Sequence, residues 1–169
     1  MNILVALLTS RDVEKLKRCI ESVLPQTSDV VVVCNTLDFS FVEQARSVAE
    51  EYNVEFLVTE SNGTPAKGKN SVLEIFRSRS HDYYMQVDAD DYLAPDALTK
   101  LSKIVDDNPD VDVVGLIAIR QTACTHLFLS QVPIFFGYGR LTIILDHLPG
   151  IVQLAFVDRV GEKSVVGTL

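Results

Sequence analysis

Residues 2–34, NILVALLTSRDVEKLKRCIESVLPQTSDVVVVC, decide the fold. Residues 2–9 form a continuous apolar run, as expected of a strand buried on both faces. Val13, Leu16, Ile20, Val23 and Leu24 then recur at helical spacing, with Asp12 placed to cap the start and Pro25 to end it. Residues 30–34 are a second wholly apolar run. Strand, helix, strand at this spacing implies a right-handed crossover between two parallel strands.

The same alternation continues. Ser40 and Glu43 form a capping box before Phe41, Val42, Ala45, Val48, Ala49 and Tyr52, which read as a second helix. Residues 54–59 read as a third strand. Residues 60–70 read as a polar loop with Gly63, Pro65 and Gly68. Residues 71–77 form a short helix, with Val72, Leu73 and Phe76 on one side. Residues 83–87 form a fourth strand. Pro95 marks a helix start before Ala97, Leu98, Leu101, Ile104 and Val105, and Asn108 and Pro109 end that helix. Residues 111–119, 140–145 and 152–157 look like further strands. The predicted architecture is α/β, a three-layer sandwich about a mainly parallel sheet. Ligands in such sheets bind beyond the carboxyl ends of the strands, here residues 9–12, 34–38, 59–70 and 88–92.

At 169 residues, 47% hydrophobic and 22% charged, the chain suits one domain with a sizeable core and excludes disorder or a disulfide scaffold. The formal net charge of −8, without a block of Lys and Arg, argues against nucleic-acid binding. Cys19, Cys34 and Cys124 are odd in number and set in apolar runs, which predicts reduced thiols and a cytoplasmic location. The first residues lack a basic region and cleavage site, so they read as a strand and not a signal peptide. No run of 18 apolar residues predicts a spanning helix, and peripheral membrane contact stays open.

The chemistry is expected after the fourth strand. MQVDADDYLAPDAL, residues 85–98, sets Asp88, Asp90 and Asp91 directly after an apolar run. In an extended chain, side chains i and i+2 share one side, so Asp88 and Asp90 are expected to converge. Two close carboxylates repel unless a cation joins them. Hard oxygen ligands favour Mg²⁺ or Mn²⁺, commonly held by one or two carboxylates plus substrate phosphates. The bland alternative is a solvated acidic turn ahead of a helix. Gly63-x-x-x-x-Gly68-Lys69 offers a different reading, a P-loop phosphotransferase with Asp88 as its acid. Asn70 stands where that motif needs Ser or Thr, and Pro65 sits within the loop.

Four stretches in order, VALLTSRDVEKLKRCIESVLPQT (5–27), VVVVCNT (30–36), NGTPAKGKN (62–70) and MQVDADDYLAPDAL (85–98), resemble the inverting family 2 glycosyltransferases of the GT-A fold. The resemblance covers about residues 1–105, the nucleotide-sugar-binding half of a single domain spanning 1–169. Residues 106–169 correspond to the start of the acceptor-side half, expected to be incomplete. By this resemblance the Asp-x-Asp motif is Asp88 and Asp90. Asp90 is expected to ligate Mn²⁺ or Mg²⁺, and Asp88 to contact the ribose or the metal's shell. Thr9 falls beside the nucleoside. Asn35 falls where the family usually has an Asp that reads the uracil edge. Lys69 and Asn70 fall where it often has Arg-Asn near the phosphates. The substitutions leave base selectivity open, since an Asn offers both donor and acceptor and a Lys lacks the guanidinium fork. The partner implied is a nucleotide sugar, with a UDP-sugar favoured.

The resemblance implies hexosyl transfer with inversion to a sugar, lipid-linked or protein acceptor. Charge growing on the leaving diphosphate needs a divalent cation, helped by loop amides near Gly63 and Gly68 and by Lys67 or Lys69. Inversion also needs a carboxylate base. In the family that base lies in a later acidic motif. Asp146, Asp158 and Glu162 are the later acids here, and none has that context. IVQLAFVDRVGEKSVVG (151–167) resembles the strand and turn before that motif. The base is therefore expected to be absent, with Asp146 the fallback candidate. A chain of this kind would bind donor and transfer slowly, or serve as a binding module without turnover. His81, His126 and His147 lack ligand spacing. The apolar stretch 128–138 reads as packing, or else as a lipid-facing surface or homo-oligomer interface.

Overall fold

The structure, a computed structural model, describes residues 2–107 together with the backbone of four later strands. The first half alternates as β1 (Ile3–Thr9), α1 (Val13–Val23), β2 (Val30–Cys34), α2 (Phe39–Glu51), β3 (Glu55–Val58), α3 (Pro65–Arg77), β4 (Tyr83–Asp88) and α4 (Ala97–Asp107). The later strands are β5 (Val113–Gly115), β6 (Phe135–Phe136), β7 (Gly139–Ile143) and β8 (Phe156–Arg159).

The strand order is β3-β2-β1-β4-β8-β5-β7-β6. β1 pairs in parallel with β2 and β4, and β2 with β3. β8 runs antiparallel between β4 and β5. Every residue of β1 and β2 is buried, which is why both read as unbroken apolar runs. Alternation along the strands splits the core in two. Ile3, Val5, Leu7, Val32, Met85 and Val87 face α1, α2 and α4, whereas Leu4, Ala6, Leu8, Val31, Val33 and Tyr84 pack with Val72 and Phe76 of α3. Helices on both faces of a mainly parallel sheet make the expected three-layer sandwich. Burying one aliphatic side chain of this kind contributes about 1.5–3 kcal/mol. Among the described residues, no helix is long and apolar enough to cross a membrane. Cys19 and Cys34 are free and buried.

Two local expectations need correction. The second helix is capped by Asp38, whose Oδ1 accepts from the backbone N–H groups of Ser40 (3.0 Å) and Phe41 (3.4 Å). Ser40 therefore lies inside the first turn and Glu43 turns to Arg46 at 3.7 Å, so no capping box forms. The third helix starts at Pro65, six residues earlier than expected, and takes in half of the anticipated loop. A proline is at home in a helix's first turn, where its missing N–H costs nothing. Asp12 caps α1 as expected, accepting from Lys15 N–H at 3.2 Å.

Candidate functional site

The order β3-β2-β1-β4 places a topological switch between β1 and β4, where the chain's crossovers change direction and a crevice opens at the strand ends. Thr9 ends β1 and pairs with Cys34, the last residue of β2, while Leu8 pairs with Asp88, the last residue of β4. Asn35 N–H donates to the Thr9 carbonyl at 2.6 Å, and Ala89 N–H to the Leu8 carbonyl at 2.9 Å. Thr9, Asn35 and Asp88 thus share one edge of the sheet. Thr9 is 3% exposed, and its Oγ1 is buried without a hydrogen-bond partner among the described residues.

Asn35, also buried, gives its side chain to the neighbouring loop. Its Oδ1 accepts from Ser61 Oγ and from Gly63 N–H at 3.3 Å, and its Nδ2 donates to the Thr64 carbonyl at 3.4 Å. Thr59 Oγ1 joins Ser61 Oγ in the same network. Between Ser61 and Thr64 the chain turns through Asn62 and Gly63, both at positive φ (43° and 76°), and Thr64 N–H closes the turn on the Ser61 carbonyl at 3.0 Å. Asn-Gly supplies the left-handed pair that such a turn requires. The amide expected to face a base edge therefore holds this turn instead. Ser61 was not singled out in the sequence. The signal for it was the Asn-Gly pair beside it.

Helix α3 begins directly after the turn. Lys67, Gly68 and Lys69 lie within it, with Gly68 buried against Asn35, Lys69 half-buried and Lys67 and Asn70 exposed. A P-loop needs those residues wrapped as an open loop of amides. They form a helical turn, which removes the phosphotransferase reading. What remains is a helix N-terminus beside the end of β2, which carries partial positive charge.

The acidic stretch also differs from its expected shape. β4 stops at Asp88, and Asp91 N–H donates back to the Asp88 carbonyl at 2.9 Å, so residues 88–91 form a turn. Asp88 is half-buried and Asp90 exposed, with Ala89 buried between them. The extended-chain argument for convergence accordingly fails at Asp90. Gln86 Nε2 donates to Asp88 Oδ1 at 3.2 Å. The three carboxylates do share one field. Burial, and then the charges of Asp91, Asp88 and Asp90 in that order, push the Cys19 thiol up to about 12. Among the described residues no group of three or more His, Cys, Asp or Glu side chains is assembled to hold a metal by itself. Asp146 lies outside the described residues.

The comparisons agree with the fold. Known structures of the same fold include a 1–349 fragment of Staphylococcus aureus TarS, at 19% identity and a TM-score of 0.59, covering 83% of this chain and 43% of that one. The same TarS fragment in complex with UDP-GlcNAc gives 21% identity and 0.59, covering 78% and 38%. The mannosyltransferase PcManGT from Pyrobaculum calidifontis, in complex with GDP-Man and Mn²⁺, gives 20% identity and 0.58, covering 70% and 36%. The chain spans less than half the length of these solved proteins. No curated protein sequence matches it significantly. The family described as Glycosyl transferase family 2 matches residues 6–157, nearly the whole chain, and with the GT-A fold of its neighbours this shows that the chain belongs to that family.

Proposed function

We propose that the chain binds a nucleoside-diphosphate sugar together with a divalent cation, and that the activity it serves is inverting transfer of the sugar to a hydroxyl acceptor. The observation that carries the reading is the 88–91 turn standing beside Thr9 and Asn35 at the switch between β1 and β4. Solved relatives of the same fold are described with UDP-GlcNAc and with GDP-Man and Mn²⁺, which supports a nucleotide-sugar donor.

The residues present fit a hard cation. Asp88 at the end of β4 and Asp90 in the turn after it offer hard carboxylate oxygens, the donor type that suits a Mg²⁺ or Mn²⁺ ion whose other ligands would come from substrate phosphates and water. Once bound, such an ion supplies Lewis-acid neutralisation of the departing diphosphate. The chain's own groups do the rest. The α3 N-terminus and the charge of Lys69 would offer positive potential to the diphosphate, and the Asn70 amide a hydrogen-bond donor. Asn35 fixes the 61–64 turn that leads into that helix. The orphaned Thr9 hydroxyl receives a partner from the nucleoside. The fallback candidate for the carboxylate that takes the acceptor's proton is Asp146, which lies outside the described residues.

Calorimetric titration of UDP- and GDP-sugars with Mn²⁺, repeated with chelator and with Asp90→Ala, tests the donor site. Binding that needs Mn²⁺ and is lost in the variant is expected. Binding unchanged in chelator overturns the cation assignment. A turnover assay with Asp146→Asn then separates an enzyme from a module that only binds.

A further inference from the structure

From the reading of the 88–91 turn as the donor site, on which this step rests, we infer that Ser22, on α1, and Gln26, in the turn that follows it, are positioning residues that hold the acidic segment in its binding shape. Between the end of β4 at Asp88 and the start of α4 at Ala97 the chain has no strand or helix. Two side chains about 70 residues away in sequence reach its backbone. Leu93 N–H donates to Ser22 Oγ at 3.0 Å. Gln26 Nε2 donates to the Ala94 carbonyl at 3.1 Å, and Gln26 Oε1 accepts from Leu98 N–H at 3.1 Å.

Both tethers are braced at their own end. Ser22 Oγ donates to the Cys19 carbonyl at 2.7 Å, and Gln26 Nε2 also donates to the Ser22 carbonyl at 2.9 Å. The amide orientation of Gln26 is therefore dictated by its partners, with the oxygen on an N–H and the nitrogen on two carbonyls. Leu98 N–H belongs to the first turn of α4, where no partner exists inside the helix. Gln26 thus caps α4 from a distance while fixing Ala94 in the preceding loop. Each bond is to backbone, so the tether sets the path of the chain whatever side chains the loop carries. These groups are partly buried, where a polar group left unpaired is costly. Leu93 packs on the core beneath, so the loop is held by apolar contact and tether together. Cys19 and Ser22 lie three apart on α1 and so share one face, Gln26 follows in the turn after α1, and Cys19 lies in the field of the same carboxylates.

The chemistry explains why the path matters. Asp88 is fixed by β4, but Asp90 lies in the turn, and a cation shared by the two tolerates little drift between them. Outer groups that orient metal-binding carboxylates commonly change affinity about 10–100-fold when removed. The test compares the whole chain with Gln26→Leu, Gln26→Glu and Ser22→Ala. It reads the calorimetric affinity for UDP and GDP in Mn²⁺, thermal melts, and amide exchange at Leu93 and Leu98. At a temperature well below its melt, Gln26→Leu is expected to weaken Mn²⁺–nucleotide binding at least about tenfold and to speed exchange at Leu98. Gln26→Glu keeps the acceptor for Leu98 and is expected to fall between. Ser22→Ala removes the tether to Leu93 and the local bond to the Cys19 carbonyl with little volume, so it carries the test if Gln26→Leu does not fold, with faster exchange at Leu93 and weaker binding expected. Unchanged affinity in a folded variant whose loop amides exchange faster overturns the inference alone. A wild-type chain that binds neither nucleotide with Mn²⁺ overturns the donor-site reading as well.

Discussion

Gly68 lies against Asn35 so closely that a Cβ at position 68 would stand 2.5 Å from Asn35 Nδ2 and 2.8 Å from its Cγ. The contact joins the first turns of α3 to the end of β2. Asn35 has nowhere to retreat, because Ser61, Gly63 and Thr64 hold both ends of its amide.

Gly68→Ala reads this contact directly. At an ordinary helix position the exchange gains about 1 kcal/mol. Here overpacking is expected to reverse the sign and cost about 1–3 kcal/mol in urea denaturation. Asn35→Ala removes the obstructing amide, so the double variant should recover most of the Gly68→Ala loss. Strictly additive effects would show that the two residues do not press on each other.

Thr9→Val tests the orphaned hydroxyl. A buried hydroxyl without a partner carries a desolvation cost of about 1–3 kcal/mol, and an isosteric methyl relieves it. The variant is expected to melt at or above the wild-type temperature while binding nucleotide more weakly. Calorimetry and melts on the same samples check both halves. Equal affinity in the variant would remove Thr9 from the donor site.

Much of the molecule was legible in its sequence, for identifiable reasons. Strands buried on both faces announce themselves as apolar runs, so β1, β2 and β4 were read almost to the residue, and the crevice followed from their order. Turn chemistry was harder. Pro65 read as a loop breaker although it opens a helix, and the acidic stretch read as extended although Asp91 N–H folds it back onto Asp88. Periodicity carries no information about such a turn. The bonds of Asn35 to its loop and the tether from Gln26 join residues 26 to 72 positions apart, and pairings of that range leave no mark in local spacing.

Two alanine substitutions separate the actual cap of α2 from the apparent one. Asp38 accepts from two first-turn amides, so Asp38→Ala is expected to cost about 1 kcal/mol. Ser40→Ala loses a contact with Gln44 Nε2 at 3.2 Å on an exposed surface and should stay within about 0.5 kcal/mol of wild type. The reverse ranking in chemical denaturation would restore the capping box at Ser40 and Glu43.

The Cys19 thiol, pushed up to about 12 from an ordinary 9.0 by burial and by the nearby carboxylates, gives the fold a pH dependence of known sign. Between those values the unfolded chain releases the thiol proton and the folded chain keeps it. The unfolded state then binds fewer protons, and stability falls as pH rises. This contribution is fully present below pH 9 and lost progressively toward pH 12. Cys19→Ala leaves a small void and so carries a constant offset in stability. Its denaturation curve should nonetheless fall less steeply than wild type over that range, so the gap between the two narrows with pH. Iodoacetamide at pH 8 should leave Cys19 unlabelled until the chain unfolds. Rapid labelling of the folded chain, or parallel pH curves for the two proteins, would place the thiol in contact with water rather than beneath the acidic turn.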